Sequence, residues 1–222
     1  MLIGLGGLGS WVAEGLSRGG TGILDGLDND HVDYSNVSRQ NFIAQDIGKN
    51  KAVAFGKGHA RRGFFGTTFH AWPYRLEEMQ RTDFDFSKYD ALAVLVDNNP
   101  ARRLGTQVGL DLGVPVVHAG LSKEANYCYV AVQQPGEACW GCMFPNDIDD
   151  NTYPCAPGVI DICFVAAGLI LFALDSVICG RHREWNLRAI SIDGSLPDTS
   201  VTVPKKPNCR LCGQEKEQEQ CV

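Results

Sequence analysis

The sequence predicts an α/β fold in which a parallel βαβ half is continued by antiparallel strands within one sheet. Three observations carry that prediction. The first half alternates strand and helix signals, the pattern of a parallel sheet built from βαβ units. The chain opens "MLIGLGGLGSW", where Gly4, Gly6, Gly7 and Gly9 follow an apolar strand end and precede a helix. Past residue 120 the pattern changes, and "NYCYVAVQQ" alternates polar with apolar residues as an antiparallel strand does.

Taken in order, residues 1–3 form a strand, 10–18 a helix and 22–27 a second strand. Residues 29–47 form a polar loop of a length that in compact domains is usually functional. A helix over 49–61 follows, weakened by Gly56 and Gly58. A third strand covers 67–72. "DALAVLVDNN" is an apolar run ending in polar residues, as a buried parallel strand delivers side chains to the carboxyl edge of a sheet. A helix over 100–112 and the strand "VPVVHA" complete the parallel half; "LRAISID" and "TSVTV" join "NYCYVAVQQ" as antiparallel strands. Without an internal repeat or a linker, residues 1–213 are expected to form one domain, followed by a charged, disordered tail over 214–222.

With 222 residues, 44% of them hydrophobic and 21% charged, the chain has the composition of an ordinary globular protein. A net charge of −6 argues against a general nucleic-acid binder. The local basic groups, Lys57 to Arg62 and Arg102 with Arg103, read as solvated helix faces. The apolar start carries no basic leader or cleavage site. The longest apolar run, residues 162–174, has 13 residues, which is short for a bilayer and suits a buried core helix. No membrane association and a cytoplasmic location are the expectation.

The glycine turn stands between a strand and a helix, and Asp28 lies nineteen residues beyond Gly9, at the end of the second strand. This is a Rossmann-like arrangement: the helix N-terminus takes phosphate and the acid takes ribose hydroxyls. Alone it would suggest NAD or FAD. Arg39 and Lys51, twelve residues apart beside the phosphate turn, point elsewhere. A dinucleotide needs little extra positive charge, whereas a triphosphate losing pyrophosphate needs a good deal. Asp97, at the end of the fourth strand, suits a magnesium ion held against those phosphates.

The string D-x-D-x-V-x-x-S-N-x-x-R-Q from Asp28 to Gln40, followed by G-x-x-K from Gly48 to Lys51, resembles the ThiF/MoeB/HesA family. That family includes the ubiquitin-activating enzymes, which adenylate a C-terminal glycine. The resemblance runs from Leu2 to about Gly213. It implies a Rossmann-like ATP-binding half with Gly7 in the nucleotide turn and Asp28 on the ribose. It also implies Asn36, Arg39, Gln40 and Lys51 around the phosphates and Asp97 on magnesium. The activity implied is ATP-dependent adenylation of the C-terminal glycine of a small ubiquitin-fold or sulfur-carrier protein, with release of pyrophosphate. An NAD-dependent oxidoreductase, which leaves Arg39 and Lys51 unexplained, and a non-catalytic carrier-binding scaffold are the competing readings.

None of the nine cysteines precedes Cys128. "ACWGCMFP" and "NCRLCG" place Cys139 with Cys142 and Cys209 with Cys212, two C-x-x-C pairs suited to a closed four-thiolate zinc site. The 66 intervening residues make such a site a staple between distant segments rather than a compact finger. Redox-active dithiols and two disulfides are the alternatives. The resemblance agrees with zinc, and it makes Cys155 a candidate nucleophile that takes the activated carrier as a thioester; an inert Cys155 is equally consistent with it. Cys128, Cys163 and Cys179 are expected in the core, and Cys221 and the five histidines receive no role.

Relatives usually begin with a helical segment ahead of the first strand, which in dimeric members lends an arginine to the neighbouring ATP site. Met1 here already stands in the strand, so a homodimer or a complex with another subunit is expected to supply cover and charge.

Overall fold

The computed structural model describes residues 1–62, 66–147 and 159–213. The elements run β1 (Leu2–Ile3), α1 (Gly9–Arg18), β2 (Ile23–Leu27), α2 (Lys51–Arg62), β3 (Thr68–Trp72), α3 (Leu76–Gln80), β4 (Leu92–Val94) and α4 (Asn99–Leu112). They continue β5 (Val116–Leu121), β6 (Tyr127–Gln133), α5 (Trp140–Met143), α6 (Ile160–Ile178), β7 (Leu187–Ser191) and β8 (Thr199–Val201). All eight strands join one sheet in the order β3-β2-β1-β4-β5-β6-β7-β8. The first five in that order pair in parallel. From β5 onward every pairing is antiparallel. The predicted switch from parallel to antiparallel falls where the alternation of polar and apolar residues begins.

Strand alternation sends neighbouring residues to opposite faces, and each face has its own core. Leu2, Leu24, Ala93, Val117 and Val130 pack with Val12 of α1 and Ile162 and Ile170 of α6. Ile3, Leu27, Leu92, Val94 and Val116 pack with Met79 of α3 and Val108 of α4. Helices on both faces are what a buried parallel sheet requires.

Four sequence expectations change in detail. Helix α2 forms despite its glycines: a Cβ on Gly56 would lie 3.3 Å from the Phe69 ring, so the missing side chain lets the helix settle on β3. Helices α3 and α5 have five and four residues and too little periodicity to be read from sequence. The apolar run is part of a longer helix. Helix α6 has 19 residues with a mean hydropathy of 2.1, so by length and composition it is long and apolar enough to cross a membrane. Here its Ile162, Ala166, Ile170, Ala173 and Leu174 are buried in the fold. Cys128 and Cys163 are buried as expected, but Cys179 is exposed, because it caps α6 beyond Leu174, the last buried residue.

On β2, the strand that pairs with β1, the fully buried carboxylate of Asp25 ties β2 to β3. It accepts hydrogen bonds from the Tyr89 hydroxyl, from His70 Nδ1 at 2.7 Å and from Trp72 Nε1 at 3.2 Å, with Lys88 at 3.5 Å. Burial alone would raise its pKa; the bonds from Tyr89, His70 and Trp72 outweigh burial and hold it below the usual carboxylate range. A lowered folded-state pKa contributes stability above the unfolded value and loses it as pH falls through the folded one. Asp25→Asn is therefore expected to lower stability at neutral pH by about 3 kcal/mol and to flatten the acid limb of the stability curve. Thermal melts from neutral to acid pH check this; parallel curves for the two proteins would contradict it.

Candidate active site

The glycine turn begins where β1 ends. Gly4 has φ +93°, and a Cβ there would sit 2.7 Å from the carbonyl oxygen of Leu95. A Cβ on Gly9 would approach the Gly4 carbonyl oxygen to 1.9 Å. Only glycine lets α1 start this close to the end of β1, and the close turn leaves the N-terminus of α1 facing the cavity. Gly6 and Gly7 line that cavity, which has a volume of about 1120 Å³ and lies at the carboxyl edge of the parallel strands.

Asp28 follows β2, and its carboxylate accepts backbone N–H bonds from Leu5 at 2.7 Å and Asp30 at 2.8 Å. The acid thereby fixes the glycine turn to the strand beside it. Burial raises the Asp28 pKa, while the nearby Lys51 charge and the bond from Leu5 oppose that rise. Lys51, the first residue of α2, is buried, and its Nζ lies 3.1 Å from Asp30. The buried ammonium is held at the cavity wall by its ion pair to Asp30, with the Asp28 carboxylate nearby.

The predicted functional loop folds back onto the turn. Its two short 3-10 segments span Tyr34–Asn36 and Ala44–Asp46, and His31 forms a β-bridge with Asn50. Ser10 Oγ accepts the Asn41 N–H at 3.0 Å and donates to the Gly6 carbonyl at 2.7 Å, so loop and turn share one anchor. The indole of Trp11 donates to the Arg39 carbonyl at 2.9 Å. The Arg39 guanidinium donates to the Ser35 carbonyl at 2.6 Å, and its charge acts on the exposed Asp33 carboxylate nearby. Asn36 is buried and its Oδ1 accepts the Asp33 N–H at 3.1 Å. Gln40 is 6% exposed, and its Oε1 is buried with no partner. The amide nitrogen Nε2 lies 4.0 Å from where a Gly6 Cβ would stand, so the donor side of Gln40 is turned toward the glycine turn.

Asp97 follows β4, is exposed at the cavity mouth and has no partner among the described residues. Its free carboxylate is the donor type a hard divalent cation takes. The structure thus brings Gly4, Gly6, Gly7, Asp28, Asn36, Arg39, Gln40, Lys51 and Asp97 onto one cavity. Gly9 supports the turn from behind. Cys155 lies outside the described residues.

Several wall residues were not foreseen. Arg102, expected on a solvated helix face, is partly buried in the second turn of α4 and lines the cavity. Cys163, expected in the core, is buried and also lines it, 3.2 Å from where a Gly7 Cβ would stand. Tyr74, Arg75, Lys123 and His31 are among the other wall residues. The signal available for Arg102 was position: the first turns of a helix entered from a parallel strand face the sheet's carboxyl edge.

The four predicted thiols converge at a second centre. Cys139, which caps α5, Cys142 within it, and Cys209 with Cys212 near the C-terminal end have sulfurs all within 4.8 Å of one another. Cys139 and Cys209 sulfurs are 3.5 Å apart and Cys142 and Cys212 sulfurs 3.4 Å apart, and the Lys206 N–H points to Cys142 Sγ at 3.3 Å. None of the four is joined in a disulfide in this structure. Burial drives the Cys139 thiol upward, the direction expected where thiolates have no cation to neutralise them. Four sulfurs in so small a volume fit a tetrahedral metal ion with no open position.

Comparisons with known proteins identify the family and the fold. A sulfur carrier protein adenylyltransferase of Thermus thermophilus is 25% identical over 237 residues, covering 100% of this chain and 84% of that protein. The adenylyltransferase and sulfurtransferase uba4 of Aspergillus niger is 30% identical over 235 residues, covering 97% of this chain and 48% of its own length. The chain therefore spans about half of that second relative. Among solved structures, E. coli MccB with ATP has a TM-score of 0.79 at 20% identity, covering 96% of this chain and 65% of that one, a likeness of fold. Residues 1–211 match one family along nearly the whole chain, and on that match this chain belongs to the ThiF family.

Proposed function

We propose that this protein uses ATP to adenylate the C-terminal glycine carboxylate of a small ubiquitin-fold or sulfur-carrier protein, releasing pyrophosphate. The observation that carries this reading is the cavity itself, where a glycine turn, a ribose-type acid, the Arg39 and Lys51 cations and a free carboxylate meet. Names of relatives such as sulfur carrier protein adenylyltransferase support the same class of substrate. NAD-dependent hydride transfer is disfavoured, since it gives Arg39 and Lys51 no task.

In the step, a carboxylate oxygen of the carrier attacks the α-phosphorus of ATP and forms the new C–O–P linkage. The bond from that phosphorus to the oxygen bridging to the β-phosphate breaks, and its electron pair leaves with pyrophosphate. No proton is transferred, so no general base is required. Arg39 and Lys51 neutralise charge that builds on the leaving group, Asp28 orients the ribose, and the turn N–H groups with Asn36 and Gln40 hold phosphate oxygens. Asp97 is the residue placed to hold magnesium, which would supply further charge neutralisation. Zinc at Cys139, Cys142, Cys209 and Cys212 would be structural. The protein would act as a homodimer or with a second subunit, in the cytoplasm, without nucleic acid or membrane.

Carrier-dependent exchange of labelled pyrophosphate into ATP tests the reading, using the ubiquitin-fold carriers of the source organism. Exchange with one carrier supports it. ATP binding without exchange for any carrier would favour the non-catalytic scaffold.

Cys155 is proposed to take the activated carrier as a thioester, since an acyl-adenylate is a strong electrophile and a thiolate a good nucleophile. The carboxyl carbon would gain a C–S bond and AMP would leave with the C–O electron pair. Non-reducing gels of enzyme, carrier and ATP should show a reductant-sensitive adduct that Cys155→Ala loses while pyrophosphate exchange persists. No adduct with the wild type, or a full reaction by the variant, would make Cys155 inert.

A further inference from the structure

We infer that Arg102 is the residue that binds the acyl end of the substrate, first the carrier's terminal carboxylate and then the carbonyl oxygen of the acyl-adenylate. This rests on the adenylation reading above. The starting observation is a cation without an anion. The Arg102 side chain is partly buried, and among the described residues its buried Nε has no partner and its side chain makes one hydrogen bond, from NH1 to Asn99 Oδ1 at 3.2 Å. No carboxylate pairs with it among the described residues. Taking a guanidinium partly out of water without a counter-charge is costly unless a ligand supplies that charge.

The surroundings exclude an internal partner. His118 of β5 is fully buried beside Arg102, and burial, aided by the Arg102 charge, lowers its pKa to about 3, so it stays neutral. Tyr129 of β6, the next strand, is held neutral because burial raises its pKa. The open side of Arg102 is the cavity, where Gly120, at the end of β5, and Lys123, in the hairpin after it, form the adjoining wall.

Topology decides which anion belongs there. Asp28 follows β2, the glycine turn follows β1 and Asp97 follows β4, so a nucleotide laid along the sheet edge runs from β2 across β1 to β4. Arg102 and Gly120 lie on the far side, toward β5 and β6. Strands are spaced by about 4.8 Å, which places the β5 edge roughly 10 Å from the glycine turn. A group reacting at the α-phosphorus approaches from the side the nucleotide leaves open. Arg39 and Lys51 already serve the phosphates, and a planar guanidinium matches a planar carboxylate in geometry and charge.

The test compares two probes on the full chain: AMP, and 5′-O-(N-glycylsulfamoyl)adenosine, a stable mimic of a glycyl-adenylate. Calorimetry should show wild type binding the mimic more tightly than AMP. Arg102→Gln should lose about 10- to 100-fold of affinity for the mimic and leave AMP affinity unchanged, with Arg102→Lys between them. The thermal midpoint of ligand-free Arg102→Gln should equal or exceed that of wild type, because an unpaired charge has been removed. Equal loss for AMP and mimic would assign Arg102 to the phosphates and overturn the inference. So would unchanged affinity for both, or failure of both variants to fold, which would make Arg102 structural. Wild type that binds neither probe would overturn the adenylation reading and this inference with it; wild type that binds both leaves that reading standing whatever the variants do.

Discussion

Asp97→Ala is expected to abolish carrier-dependent pyrophosphate exchange, a loss on the order of 1000-fold, while the protein stays folded. The two halves of that expectation have separate grounds. Asp97 is exposed and makes no hydrogen bond or ion pair among the described residues, so its removal should change stability by no more than about 0.5 kcal/mol. Chemically it is the one carboxylate at the cavity mouth beyond β4 with nothing to hold. Asp28 is occupied by two backbone N–H groups and Asp30 by Lys51, so neither can replace it. A magnesium titration sharpens the result: wild-type exchange should saturate with the metal, and Asp97→Ala should stay inactive at high concentration. Lys51→Ala should be inactive too but also less stable, because Asp30 and Asp28 lose the buried ammonium between them. Exchange by Asp97→Ala at the wild-type rate would remove this residue from metal binding.

Much of this was legible in the sequence because the relevant signals are local. Gly4 and Gly9 are glycines because a Cβ at either would strike backbone, a constraint visible as a motif. The period-two alternation marked the antiparallel half at the start of the strand, where Tyr127 and Tyr129 are half-buried and Cys128 and Val130 are buried; Ala131 to Gln133 are buried on both faces. Arg39 and Lys51 are legible as cations beside the phosphate turn and Gln40 through the family resemblance, since one loop and one helix start carry them all to the same cavity. What the sequence withheld was set by tertiary contact. Arg102 and Arg103 form an ordinary basic pair on a helix, and only the docking of α4 beside β5 turns the first toward the cavity. Cys163 looks like any apolar helix residue until α6 is laid against the glycine turn. The full length of α6 was hidden because its ends, past Leu174 and before Ile162, mix charged residues with apolar ones. The convergence of Cys139 with Cys209 needed no fold information beyond the pairing of identical knuckles.

If those knuckles hold zinc as proposed, removing it should be the most destabilising change that leaves the sheet untouched. Elemental analysis is expected to find about one zinc per chain, held by four thiolates. The cluster around them is small: Ala138, Cys139, Cys142 and Cys209 are buried there, with Leu110, Met143, Leu211 and Cys212 packed against them. So little apolar surface cannot by itself hold the segment from Cys209 onward against α4 and α5, and the ion would do so in its place. Metal affinity is then coupled to folding, because the ligands come from segments 66 residues apart that only the folded chain brings together. Cys209→Ser should cost about 3 kcal/mol, a drop of roughly 6 to 12 °C in the thermal midpoint for a chain of this size. A chelator should produce a similar drop in wild type and almost none in the variant. Cys179→Ser is the control, since that thiol is exposed at the end of α6 and its loss should leave the midpoint unchanged. If the pairs were instead redox-active dithiols, the isolated protein would carry no zinc, and oxidation rather than chelation would shift the melt. Metal-free protein with wild-type stability would eliminate the staple.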